Sequence, residues 1–154
     1  MNIRFGYPYP AGALSNLARH SFLMQGVPCA SMEGLLQSLK TSDVNTQIEL
    51  CTKTGHVARR AGAGIPWYDT QTLWWRGVEY SRTGDEYQTL LDEAYESLYT
   101  QSDSAKEALL TTKDVKLVHT VGKTKLCETI LTRQEFCSRL MRIRRDLQVA
   151  DLIS

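Results

Sequence analysis

The chain has 154 residues, 42% of them hydrophobic, which is enough for one core and short of two. With 18 Lys and Arg against 17 Asp and Glu the net charge is +1, so no global field selects nucleic acid or an anionic membrane as partner. Cys29, Cys51, Cys127 and Cys137 are scattered without a C-x-x-C pair, no apolar run approaches the ~20 residues of a membrane span, and Met1 to Gly6 lacks a secretory apolar segment; a soluble cytoplasmic protein with reduced thiols is expected.

Gly6, Pro8, Pro10 and Gly12 disfavour a long helix at the start. Phe22-Leu23-Met24 and Val27-Pro28-Cys29 flank Gln25-Gly26 and read as a small hairpin with Pro28 on its edge strand. Ser31 is placed to cap the helix that follows. In Ser31 to Lys40, Met32, Leu35, Leu36 and Leu39 recur at i, i+3, i+4 and i+7, the spacing that buries one face. At about 100° per residue, Glu33, Gln37 and Lys40 share another face, so a carboxylate, an amide and an amine point the same way. Gly34 and Ser38 beside them leave room for a close approach by another segment or a ligand. The plain alternative is an ordinary solvated face, the default for Glu and Lys.

Asp43 caps a second expected helix over Val44 to Thr54, with Val44, Ile48 and Cys51 on its buried face. A short basic helix, His56 to Ala61, precedes a flexible loop, Gly62 to Trp67, whose glycines match no dinucleotide or phosphate-loop spacing. Leu73 to Tyr80 reads as a strand or bulged hairpin bent at Gly77. Thr83-Gly84-Asp85-Glu86 has capping-box spacing before a helix burying Tyr87, Leu90, Leu91, Ala94, Tyr95 and Leu98. A helix over Asp103 to Leu110 and a buried strand over Val115 to His119 follow. A second capping box, Thr132 to Glu135, starts a final helix with Phe136, Leu140, Ile143 and Leu147 inside and Arg139, Arg142, Arg144 and Arg145 on solvated faces. The sum is an α+β fold: a single compact, mostly helical domain with short strands, its core over about residues 5–145 and a C-terminal tail over 146–154.

Individual side chains outside the Glu33 helix carry weaker signals. His119 reads as a structural histidine, and Arg59 or Arg60 as a candidate phosphate contact. Trp67, Trp74 and Trp75 are expected to pack in the core, with Trp67 the best placed to stack on a ligand. Histidines at 20, 56 and 119 are too scattered for a metal site, so neither metal nor cofactor is expected.

The order Phe5-Gly6, Leu14-Ser15-Asn16, Phe22, Gly26, Ser31-x-Glu33, Gln37 and Lys40 resembles the NADAR superfamily, which includes the YbiA-like bacterial N-glycosidases. Ala58-x-x-Ala61-Gly62 with Trp67, the Tyr87 helix, Leu109-Leu110-x-Thr112 and Phe136-x-x-x-Leu140-Met141-x-x-Arg144 continue in the same order. Where many members carry Trp-Gly-x-Gly, this chain has His119-Thr120-Val121-Gly122-Lys123. The resemblance implies hydrolysis of an exocyclic N-ribosyl bond, either in riboflavin-pathway ribosylamino-pyrimidine intermediates or in ADP-ribose carried by guanine bases, free or within DNA or RNA. It implies Glu33 and Lys40 as catalytic groups, with Ser15, Asn16, Gln37, Gly62, Trp67 and Gly122 binding substrate. Lys40 is then either a nucleophile that forms an imine with ribose C1 or a protonated anchor for the departing base. A carboxylate near it opposes the first role by raising its pKa. The alternatives of another class are a non-catalytic ADP-ribose or NAD-binding module and an interaction protein on an inactive scaffold.

Overall fold

The computed structural model describes residues 1–153 and contains six α-helices and two antiparallel hairpins. The first hairpin pairs β1 (Phe22–Met24) with β2 (Val27–Cys29), Phe22 opposite Cys29 and Met24 opposite Val27. Its turn places both Gln25 and Gly26 at positive φ, the geometry that a two-residue hairpin loop requires. The second, β3 (Thr72–Trp75) with β4 (Val78–Ser81), turns the same way through Arg76 and Gly77.

Between them lie α1 (Met32–Ser38), α2 (Val44–Cys51) and α3 (Gly55–Ala63). Ser31 Oγ accepts from Gly34 N at 3.1 Å and an Asp43 carboxylate oxygen accepts from Thr46 N at 2.9 Å, so both helices start at side chains that satisfy a free amide. Met32, Leu35, Leu36 and Leu39 are buried, and truncating any of these leucines to alanine is expected to cost about 2–5 kcal/mol. The approach expected at Gly34 is made by protein: a Cβ there would stand 2.7 Å from the Leu50 carbonyl oxygen and 2.8 Å from that of Lys53. Helix α2 ends at Cys51 rather than Thr54, and its buried face is Gln47, Leu50 and Cys51, leaving Val44 and Ile48 exposed. Gln47 explains the rotation. Its amide donates to the carbonyls of Ser38, Thr41 and Trp74 and accepts from Arg76 N, satisfying the end of α1 and the second hairpin together. Cys29 and Cys51, distant in sequence, are both buried free thiols, and Cys29 Sγ donates to the Val27 carbonyl.

Helix α4 (Asp85–Gln101) buries the six predicted residues and packs on β1, α5 (Asp103–Thr111) and α6 (Arg133–Ile153). The first capping box does not form: Gly84 is the N-cap and makes no side-chain bond, while Thr83 pairs with Ser81. The second does form, with Glu135 N donating to Thr132 Oγ1 at 3.1 Å and Thr132 N to Glu135 Oε1 at 2.8 Å. Helix α6 continues through the segment expected as a tail. Its arginines are not all solvated, since Arg139 and Arg144 are buried with partners.

Val115 to His119 is not a buried strand. Among the described residues one isolated parallel bridge, Asn2 to Val118, forms there, and Val115 is exposed. That bridge nevertheless ties the two segments closely: Ile3 N donates to Val118 O at 2.8 Å and Val118 N to Met1 O at 2.9 Å. Among the described residues no helix is long and apolar enough to cross a membrane.

Candidate functional site

The polar face of α1 opens on a pocket of about 660 Å³. Around it converge the N-terminal loop (Arg4, Phe5), the Ser15-Asn16-Leu17 loop, α3, Trp67, the turn from His119 to Lys123 and the segment from Glu128 to Thr132. Of the residues named from the sequence, Ser15, Asn16, Glu33, Gln37, Lys40, Trp67 and Gly122 all line this space.

Each is held by an identifiable contact. The Asn16 carbonyl oxygen accepts from Glu33 N at 2.9 Å, so the loop is fastened to the first turn of α1. The Asn16 side-chain oxygen accepts from Tyr95 Oη at 2.8 Å. Burial pushes the Tyr95 phenol well above its ordinary pKa, so it remains a donor, and Asn16 is left to offer its NH₂ group to a ligand. Gln37, 7% exposed, donates Nε2 to Glu33 Oε1 at 2.8 Å, and an N–H is the end of the amide that a carboxylate accepts. That contact holds the Glu33 carboxylate, and Gln37 itself also lines the pocket. The Gln37 oxygen is buried without a hydrogen-bond partner among the described residues.

Gly62 corrects the loop reading. It belongs to the last turn of α3 and does not line the pocket, and a Cβ on it would overlap the Gln37 amide. Its contribution is indirect: it lets α3 sit against Gln37, and its carbonyl accepts from Lys40 Nζ at 3.4 Å. No carboxylate lies within ion-pair distance of Lys40 among the described residues. Burial lowers the Lys40 pKa, Glu33 pushes it back up, and Lys123 lowers it further; the net direction is downward.

The remaining lining explains what kind of ligand fits. Arg4, Arg59 and Lys123 bring positive charge, against the carboxylates of Glu33 and Glu128, which suits a ligand bearing phosphate. Arg59 lines the pocket and Arg60 does not. Trp67 is buried at the wall with its ring edge-to-face on Tyr68. His56, His119, Glu128 and Thr129 were not selected from the sequence. His56 comes from the first turn of α3, His119 from the turn before Gly122, and Glu128 and Thr129 from one segment ahead of α6; only the Phe5-Gly6 pair and the Gly122 turn hinted at their neighbourhood. A second cleft of about 600 Å³ lies beside α4 and α6, but its charged groups are already paired, Asp92 with Arg139 and Arg142, and Glu135 with Arg82 behind it.

The family of bacteriophage protein GP30.3 matches residues 8–145, which contain every α1 and loop residue discussed above except Arg4 and Phe5. The chain belongs to that family, a NADAR-type family. It is 34% identical over 150 residues to an uncharacterized 17.1 kDa protein of the Gp30-rIII intergenic region of Enterobacteria phage T4, covering 96% of this chain and 98% of the relative. Its fold is similar to the NMR structure of the E. coli protein YbiA, with a TM-score of 0.61 over 98% of this chain and 88% of that one, at 18% identity. At that identity the likeness speaks for the α+β fold alone.

Proposed function

We propose that this NADAR-type protein is an N-glycosidase that hydrolyses an exocyclic N-ribosyl bond on a phosphate-bearing ligand, with Lys40 as nucleophile and Glu33 as proton carrier. The observation that supports this reading most is the state of Lys40: an amine beside a pocket carboxylate, bonded only to a carbonyl, with its pKa moved downward by burial. Burial moves the amine towards the neutral form, the one that can attack.

The chemistry balances with the groups present. Glu33 delivers a proton to the ring oxygen, and the glycosylamine opens to an imine at C1. The Lys40 nitrogen adds to C1, a proton passes from it to the exocyclic nitrogen through Glu33, and the C1–N bond breaks to release the free amine of the base. The ribosyl group then remains as an imine on Lys40. Water adds to C1 and gives one proton to Glu33; the remaining hydroxyl proton passes to Nζ as the C1–Nζ bond breaks, returning the sugar aldehyde and the lysine. Arg4, Arg59 and Lys123 hold the phosphate throughout, and Asn16 donates to a hydroxyl or to the base edge.

The test is a panel of ribosylamino-pyrimidine phosphate, ADP-ribosylated guanine nucleotide and ADP-ribosylated oligonucleotide, with products resolved by mass. Borohydride added during turnover should leave a ribosyl adduct on the peptide containing Lys40, and Lys40→Arg should give neither product nor adduct. Turnover without an adduct, retained in Lys40→Arg, would remove the imine route and keep the glycosidase. Ligand binding with no product from any substrate would instead make the chain a binding module.

A further inference from the structure

The chemistry above leaves His119 without a task, although its ring lies in the pocket wall. Its Nδ1 is 2.8 Å from the carbonyl oxygen of Ile3. A carbonyl only accepts, so Nδ1 must carry the proton, and in the neutral ring Nε2 is then a bare acceptor. The ring is fixed from three further sides. It packs T-shaped with Phe136 at a centroid distance of 5.2 Å. Its backbone is bound to the N-terminal segment through Val118 and Thr120, the latter donating to Asn2 Oδ1 at 3.1 Å. Its Cδ2 occupies the space over Gly122, where a Cβ would stand only 2.7 Å away. Among the described residues Nε2 has no hydrogen-bond partner, yet it is not sealed in, because the buried side-chain polar atom left without a partner there is the Gln37 oxygen. An oriented acceptor therefore faces the pocket.

We propose that His119 is a specificity-determining residue whose Nε2 accepts a hydrogen bond from a ribose hydroxyl of the bound ligand, an inference that rests on the ribosyl reading of this pocket. The lining is rich in donors: the Asn16 NH₂ group, Lys40, Arg4, Arg59 and Lys123. Phosphates take donors of this kind. Ribose hydroxyls must also donate, and when buried they need an acceptor. Glu33 already accepts from Gln37 and has protons to carry. A neutral imidazole supplies the acceptor without placing a further negative charge beside phosphates. A site built this way discriminates against a sugar lacking the hydroxyl, since Nε2 would then be buried under the ligand unpaired.

The experiment pairs calorimetry with nitrogen-15 NMR of the imidazoles. The probe is ADP-ribose against its analogues lacking the 2- or 3-hydroxyl of the terminal ribose. The histidines at 20, 56 and 119 are assigned by loss of one set of signals in His119→Phe. The free protein should show His119 as the Nδ1–H tautomer, and ADP-ribose should shift its Nε2 signal. Wild type should prefer ADP-ribose over one deoxy analogue by about three- to tenfold, the worth of one neutral hydrogen bond. His119→Phe should bind both equally, at the weaker level, and His119→Gln, which keeps an acceptor, should recover part of the preference. An Nε2–H tautomer, or the same preference in His119→Phe, overturns the role of His119 and leaves the ribosyl reading intact. Failure of the folded wild type to bind any ribosyl ligand overturns that reading, and this inference with it.

Discussion

Along the seam where the end of β4, α4 and α6 meet, Arg82 is wholly buried and bonded to both oxygens of Glu135, whereas in the pocket Lys40 is half buried and touches only a carbonyl. Both regions take charge out of water. In the seam each ion closes on another: Arg139 on Asp92 at 2.8 Å and on Gln88, Glu135 on Arg82, Gln88 and the Thr132 amide. In the pocket the charges are held in place by neutral groups and their working ends stay free. Satisfied burial makes a frame, and unsatisfied burial makes a site. The two are joined, because Arg82 Nε donates to Thr129 O and Tyr87 Oη to Ile130 O, both at 2.7 Å, and these carbonyls belong to the pocket wall.

The comparison breaks most visibly on the pocket side. Glu33→Gln keeps the shape and the contact with Gln37 in reach but ends proton transfer, so kcat on whichever panel substrate is turned over should fall about 10²–10⁴-fold with the melting temperature unchanged. A variant that melts as early as a core mutant would mean that Glu33 belongs to the frame.

On the seam side the readout reverses. Arg82→Leu leaves Glu135 buried without its cation and should cost about 3–5 kcal/mol in chemical denaturation. Burial alone would raise the Glu135 carboxyl, but hydrogen bonds from Arg82, the Thr132 amide and Gln88, with the Arg82 charge, hold it below its ordinary value of about 4.3. A group depressed in the folded state stabilises above its unfolded pKa, and the benefit is lost as pH falls through the folded one. Wild type should therefore lose this contribution below about pH 4.3, while Arg82→Leu, with no such benefit to lose, closes part of the gap. A gap that widens on acidification would contradict the assignment.

The frame and the site were unequally legible in the sequence. Local chemistry wrote the hairpin turns at Gln25-Gly26 and Arg76-Gly77, the caps Ser31, Asp43 and Thr132, and the stripe from Tyr87 to Leu98. The shared face of Glu33, Gln37 and Lys40 was equally local, and all three reach the pocket. What failed depended on distant partners. Gln47 turns inward because it serves the second hairpin, Arg139 and Arg144 are buried because their acceptors lie on α4 and around Thr112, and Val115 stays out because the segment gains a single bridge, Asn2 to Val118, among the described residues. The carbonyl that orients His119 is just as distant, since it belongs to residue 3.

Smaller effects sharpen how the site is held. Asn16→Ala should weaken ribosyl-ligand binding by about 1–3 kcal/mol, since a ligand oxygen is left unpaired in the pocket. Tyr95→Phe removes only the bond that orients the Asn16 amide and should weaken binding in the same direction by about 1 kcal/mol. Calorimetry separates the two. Equal losses would mean that Asn16 works only in the orientation Tyr95 sets, and no loss in Tyr95→Phe would mean that the loop orients Asn16 unaided.

The smallest effect tests whether burial, rather than the mere presence of an ion pair, defines the frame. Arg142 meets Asp92 and Glu96 on the same seam, but at 3.4 Å each and with its side chain 45% exposed. Water screens such pairs, and holding a long side chain in one geometry costs entropy, so Arg142→Ala should change stability by about 0–1 kcal/mol. Its neighbour one turn earlier differs. Arg139 is buried and bonds Asp92, Gln88 and the Glu135 carbonyl, so Arg139→Ala removes a guanidinium that four acceptors share and should fall near the Arg82 range. Denaturation curves of the two variants side by side provide the measurement. Comparable losses from Arg142 and Arg139 would show that charge on this face acts as a diffuse field, and the contrast between a closed seam and an open pocket would lose its physical basis.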